Sequence, residues 1–164
     1  MAPTKLKVAL AGLGRIGKKH AINLLNFAPR VDFVAAFTPA QAELAWGRTH
    51  LEPYGVLLYD DYELMMSHPG LQAVAIATAA GVHAEEVFLA LEHDLHIFCE
   101  KPLSTSIESV CSLEHLPPRV SDSVAARYLS EPCLTWSNCT VSRHHSSCSR
   151  ETTIKSYVRV FATL

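Results

Sequence analysis

Apolar and polar positions alternate between strand-like and helix-like periods along the first hundred residues. The run Leu6-Lys7-Val8-Ala9-Leu10 predicts a buried strand. Over Arg15–Leu25, the residues Ile16, Ala21, Leu24 and Leu25 share one face of a helix. Val31–Phe37 predicts a second strand, and Ala40–Thr49 a short helix behind Pro39. Val56–Tyr59 is a short third strand. Tyr62–Ser67 is one or two helical turns with Asp60 or Asp61 as N-cap. Leu71–Thr78 is almost continuously apolar, as strands buried on both faces are. His83–Glu92 follows as a helix, with Ala84, Val87, Phe88 and Leu91 on one face, and Leu95–Cys99 is a fifth strand. This alternation predicts βαβ units and an α/β fold built on a doubly wound parallel sheet.

The pattern stops near residue 116, which divides the chain into a 1–116 domain and an atypical 117–164 tail. Residues 82–164 contain no glycine, and four of the five cysteines lie after residue 110. Residues 1–116 carry 8 basic and 13 acidic side chains, whereas 117–164 carry 6 and 3. Runs such as Ser142-Arg143-His144-His145-Ser146 have no apolar period, and Ser156–Leu164 is the one stretch there that could form a strand. A poorly ordered polar extension fits this composition, as does a product of altered splicing or a shifted reading frame; a small separate module is the third possibility.

Composition narrows the function classes. With 49% apolar residues, 18% charged residues and a net charge of −2, the chain has no basic face for nucleic acid. No stretch is long enough for a membrane span. Lys5 and Lys7 interrupt the N-terminal apolar run, so no signal peptide is expected and a cytoplasmic protein is. In that setting the sequon Asn138-Cys139-Thr140 is a chance match. Five cysteines make no disulfide framework, and their spacings fit no zinc pattern, so no metal site is expected.

Chemistry enters between the first strand and helix. Gly12-Leu13-Gly14-Arg15-Ile16-Gly17 is a G-x-G-x-x-G in the place a dinucleotide-binding turn requires. Gly12 permits the tight turn, Gly14 lets a pyrophosphate approach the backbone, and Gly17 lets helix and strand pack closely. The helix N-terminus offers unpaired N–H groups and a partial positive charge, worth about 0.3–1 kcal/mol per ligand charge. Alone, the motif suits several Rossmann classes, methyltransferases among them.

A second motif separates these classes. The fifth strand runs into Cys99-Glu100-Lys101-Pro102-Leu103, and upstream lie Ala75-Ile76-Ala77-Thr78 and His83-Ala84-Glu85. Together with the glycine turn, these segments resemble the N-terminal Rossmann domain of the glucose–fructose oxidoreductase, inositol dehydrogenase and MocA family over residues 4–116. The resemblance implies that Gly12, Leu13, Gly14, Arg15, Ile16, Gly17, Thr38, Thr78, His83, Glu100 and Lys101 surround NAD or NADP. It implies a catalytic role for Lys101 beside nicotinamide and substrate, with Glu100 holding it and Pro102 shaping the turn, for which a cis peptide is one route. An ammonium with movable donors suits a reacting hydroxyl or carbonyl. His20 reads as a helix-surface or packing residue.

Three departures qualify the resemblance. Thr38 stands where an NAD-preferring domain places an acid roughly twenty residues beyond the turn, which tilts the expectation toward NADP with Arg15 as a phosphate partner. Ala79-Ala80 follow Thr78 where the family has Pro-Asn. No segment of 117–164 matches the family's second domain, which supplies a histidine acid/base, much of the substrate pocket and the usual oligomer contact. The expectation is an NAD(P)-dependent oxidoreductase acting on a hydroxyl or ketone of a sugar, cyclitol or similar small molecule, truncated in this chain, of undetermined oligomeric state. The alternative is a non-catalytic NAD(P)-binding module or sensor.

Overall fold

A computed structural model describes residues 4–106 and 124–126. Six strands form one sheet: β1 Leu6–Ala11, β2 Val31–Phe37, β3 Leu57–Tyr59, β4 Ala73–Ile76, β5 His96–Cys99 and β6 Val124–Ala126. Every pairing is parallel, and the spatial order is β3-β2-β1-β4-β5-β6. The helices are α1 Arg15–Phe27, α2 Gln41–His50, α3 Tyr62–Met66 and α4 His83–Glu92, with a short 3-10 turn at Glu52–Tyr54. This is the doubly wound sheet expected. The chain reverses its direction of travel across the sheet between β1 and β4, leaving a crevice at their carboxyl ends.

Alternation along the strands sends side chains into two cores. Val8, Leu10, Val31 and Phe33 pack on one face with Leu13, Ala21 and Leu51. Ala9, Ala11, Val74 and Ile76 pack on the other with Met65, Met66, Val87 and Ala90. Both faces of β1 and β4 are covered, which explains why their sequences read as nearly unbroken apolar runs. Alanine is frequent in the central strands, and its small side chain lets flanking helices sit close.

Element boundaries moved where tertiary contacts decided them. β4 is shorter than the apolar run Leu71–Thr78 because Leu71 closes a turn, its N–H donating to His68 O at 3.1 Å. Asp61, rather than Asp60, caps α3 and accepts from the Leu64 N–H at 3.0 Å. β6 lies beyond residue 116, in the segment whose composition suggested a tail. Its three residues carry no alternation from which a strand could be read; the exposed ladder of β5 supplies the partner, Ile97 facing Val124. The strand expected at Ser156–Leu164 lies outside the described residues, as does the rest of the tail. Among the described residues, no helix is long and apolar enough to cross a membrane.

Two backbone positions set local stability. A Cβ on Gly17 would fall 1.8 Å from Gly12 O, so α1 can rest on the end of β1 only with glycine there. Replacing Gly17 with alanine is expected to lower unfolding free energy by about 3 kcal/mol, read as a lower urea midpoint. Asp94 ends α4 at φ 54, while Leu95 N–H donates to Ala90 O at 3.1 Å. Glycine carries no Cβ penalty in that left-handed conformation, so Asp94→Gly should raise stability by about 1 kcal/mol in the same assay.

Candidate functional site

Just past their carboxyl ends, four backbone hydrogen bonds tie the strands' connecting segments together. Thr38 N–H donates to Tyr59 O at 3.1 Å, Gly12 N–H to Phe37 O at 2.8 Å, Ala77 N–H to Ala11 O at 2.8 Å and Glu100 N–H to Ile76 O at 2.8 Å. These bonds continue the sheet's order from β3 to β5 and hold the loops level. Across them lies an open cleft of about 1100 Å³.

The glycine turn forms the middle of its floor. Gly12 has φ +88, and a Cβ there would fall 2.7 Å from Ala77 O, so the turn and the end of β4 touch through backbone alone. Gly14 differs: a Cβ there would meet nothing nearer than Glu43 Oε1 at 3.6 Å. Packing within the protein therefore accounts for Gly12 and Gly17 but not for Gly14. Gly14 is also the N-cap of α1, whose first turn has neither a side-chain cap nor an acidic residue. Its N–H groups and the positive end of its dipole face the cleft with no carboxylate from α1's own first turn to compensate them.

At one end of the cleft, Thr38 is 1% exposed and donates its hydroxyl to Glu43 Oε2 at 2.5 Å. The same hydroxyl accepts from the Ala40 N–H at 3.4 Å. Thr38 thus spends its side chain on α2 and its carboxylate. Glu43, half-buried in the first turn of α2, brings its other oxygen toward Gly14.

At the other end stands the Glu-Lys-Pro segment. Lys101 is exposed along the cleft wall, and the Lys101–Pro102 peptide is cis. Glu100 divides its carboxylate: Oε2 accepts from the Lys101 N–H at 3.3 Å and Oε1 lies 2.6 Å from His20 Nε2. His20, edge-on to Phe98 at 5.8 Å, therefore anchors β5's exit to α1. His83 is 2% exposed; its Nδ1 lies 2.8 Å from Pro102 O and its Nε2 3.1 Å from Thr78 O. A carbonyl can only accept, so the protonated nitrogen of either tautomer has a partner. The ring braces the loop after β4 against the loop after β5.

Behind this brace, the Thr78 hydroxyl donates to Glu86 Oε2, and the Tyr62 hydroxyl donates to Glu86 O at 2.9 Å. Burial raises the Glu86 carboxyl above the usual carboxylate range, with Thr78 and His83 opposing the shift. Burial also pushes the Cys99 thiol up to about 12 and the Tyr62 phenol well above its ordinary value, so both stay neutral near pH 7.

The cleft thus brings Gly12, Gly14, Arg15, Ile16, Thr38, Thr78, His83, Glu100 and Lys101 to one surface. Leu13 is fully buried in the core, and Gly17 sits beneath the turn; both support the surface from behind. Glu43, Glu86 and Tyr62 also line it and were missed from sequence. The only signal was a threonine five or eight residues before a glutamate near a helix start, a spacing too common to single out. Among the described residues, no three His, Cys, Asp or Glu side chains converge on a metal position.

The raised Glu86 carboxyl fixes the sign of a pH effect. Folded Glu86 takes up its proton at a higher pH than in the unfolded chain, so its contribution to stability falls as pH rises out of the carboxylate range. Glu86→Gln keeps an oxygen for the Thr78 hydroxyl and removes the charge. The variant should melt higher than wild type at pH 7, by a margin that shrinks toward about pH 4. A margin constant with pH would show a carboxyl equally charged in both states.

Comparison with known proteins agrees with this arrangement. Residues 6–125 match GFO_IDH_MocA, an oxidoreductase family with an NAD-binding Rossmann fold. Scyllo-inositol 2-dehydrogenase (NAD(+)) of Bacillus subtilis (strain 168) is 34% identical over 106 residues, 63% of this chain and 30% of that protein. The chain therefore spans about 30% of the length of that relative. The crystal structure of apo scyllo-inositol dehydrogenase from Lactobacillus casei superposes with a TM-score of 0.69 at 29% identity, over 77% of this chain and 37% of that one. The scyllo-inositol dehydrogenase of Lactobacillus casei with bound NAD(H) and scyllo-inositol gives 0.64 at 30% identity, over 76% and 36%. Through its NAD-binding Rossmann domain, the chain belongs to the glucose–fructose oxidoreductase, inositol dehydrogenase and MocA family of oxidoreductases.

Proposed function

We propose that the cleft binds a nicotinamide dinucleotide, with its pyrophosphate at the Gly12–Gly17 turn and its nicotinamide beside Lys101. The observation that carries this reading is the single cleft joining a bare helix N-terminus at Gly14 to the Glu-Lys-Pro segment. The residues fit such a group. Gly14 leaves space that no protein atom fills, and no carboxylate in the first turn of α1 competes for its N–H groups. Arg15, exposed at the same helix start, adds a positive charge.

When bound, the nicotinamide supplies the two-electron acceptor or donor for hydride transfer. Lys101 donates a hydrogen bond to the oxygen of a substrate hydroxyl or carbonyl and stabilises negative charge developing there. Glu100 holds the Lys101 backbone, and His20 holds Glu100. His83 positions the same segment through Pro102 O. The relatives' inositols suggest a cyclitol or similar polyol as substrate, oxidised at a secondary hydroxyl. Thr38 by itself, buried and committed to Glu43, does not exclude a 2′-phosphate and leaves NADP open.

Titrating the full chain into NADH should give a saturable change in nicotinamide fluorescence. Gly14→Ala lowers the melting temperature only slightly, by the cost of a poorer N-cap, since its Cβ meets only ordinary contact. It weakens NADH by about tenfold or more, through lost backbone bonds to phosphate. With cyclitols, Lys101→Ala lowers turnover by about 10²–10³-fold. No fluorescence change at saturating NADH overturns the proposal. Binding without turnover on any polyol favours the non-catalytic module.

A further inference from the structure

At the end of β2, where a dinucleotide's adenosine ribose is expected, the chain has Thr38 and no acid. A carboxylate nevertheless reaches this place. It comes from Glu43, one turn into α2, and three observations put it there. Thr38 is 1% exposed and donates its hydroxyl to Glu43 Oε2 at 2.5 Å, which fixes the carboxylate in one orientation. Glu43 Oε1 is the nearest atom to a side chain that Gly14 might have carried, at 3.6 Å, so this oxygen faces the glycine turn. The Thr38 backbone is itself fixed by its bond to Tyr59 O, and the glycine turn by the bond from Gly12 to Phe37 O. Carboxylate and turn are therefore held on the same framework.

We propose that Glu43 is the residue that reads the adenosine ribose and makes this site select NAD over NADP. This rests on the nucleotide-binding reading of the cleft. An ionised carboxylate only accepts hydrogen bonds, so Oε1 takes the proton of a ribose hydroxyl while Oε2 stays with Thr38. A 2′-phosphate carries about −1.5 to −2 charges and no hydroxyl proton to donate, and it would meet the same oxygen with like charge. Thr38 acts as a positioning residue. It takes the acid's place at the strand end and hands the function to a side chain five residues later. The absence of an acid at position 38, which tilted the sequence toward NADP, thus turns into the opposite preference once α2 is folded against the strand end.

The test compares NADH and NADPH by nicotinamide fluorescence on the full chain, with melting temperatures for each variant. Wild type should bind NADH at least about tenfold more tightly than NADPH, the loss expected when a charge-assisted hydrogen bond is exchanged for repulsion. Glu43→Gln should narrow that ratio to about threefold or less, by weakening NADH and strengthening NADPH, because the amide keeps an acceptor but loses the charge. The wild-type ratio alone can overturn the assignment even if the variant proves unstable. Equal affinities in wild type, or a ratio unchanged in a folded Glu43→Gln, overturn the assignment and leave nucleotide binding intact. If wild type binds neither cofactor, the nucleotide-binding reading fails first and this inference with it.

Discussion

The close approach of α1 to the end of β1 governs the rest of the structure. Gly17 lies over the Gly12 carbonyl at a separation that no side chain could occupy, and Gly12 in turn touches the exit of β4. These two backbone contacts set the height of the helix N-terminus above the sheet and aim its unpaired N–H groups across the crevice. Ordinary packing could not do this, because a Cβ at Gly17 would fall 1.8 Å from Gly12 O and one at Gly12 2.7 Å from Ala77 O, and either would push backbone apart. The hydrogen bonds from Gly12 to Phe37 and from Ala77 to Ala11 then transmit the position to neighbouring strand ends.

Around that fixed turn, three carboxylates lie near the ends of β2, β4 and β5, each held by a partner that brings no formal negative charge. Thr38 holds Glu43, Thr78 engages Glu86, and His20 holds Glu100. A half-buried carboxylate is costly without a donor, and each of these has one from a different element. The same bonds therefore satisfy the carboxylates and tie loops together: α2 to β2, α4 to the loop after β4, and the exit of β5 to α1. His83 adds a fourth tie, from the start of α4 to the carbonyls on either side of the cleft's far wall. Lys101 stays exposed amid this scaffold on the cleft wall, its backbone held by Glu100.

Much of this was legible in the sequence. Periodicity, helped by Pro39 and the Asp60–Asp61 pair at two helix starts, located the first five strands and the four helices of the described residues, because both faces of the central strands are covered and the longer helices bury one stripe. The glycine turn was legible for a different reason: at Gly12 and Gly17 hard-sphere exclusion permits only one residue type, so the requirement is written directly in the letters. β6 was not legible. Three residues carry no period, and their strand state comes from an edge offered by β5. Glu43 and Glu86 were equally hidden, since nothing in a helix's first turn says whether a glutamate turns to solvent or to a hydroxyl on another element.

The sequence by itself thus determined the order of elements, the doubly wound sheet and the glycine turn between β1 and α1, because these follow from local period and local sterics. Only the tertiary structure decided which side chains face the gap. Thr38, read as standing alone at the ribose end of β2, is buried against α2, and the carboxylate that accompanies it belongs to Glu43. That outcome depends on how closely α2 folds back on the end of β2, a distance set by contacts among residues far apart in the chain.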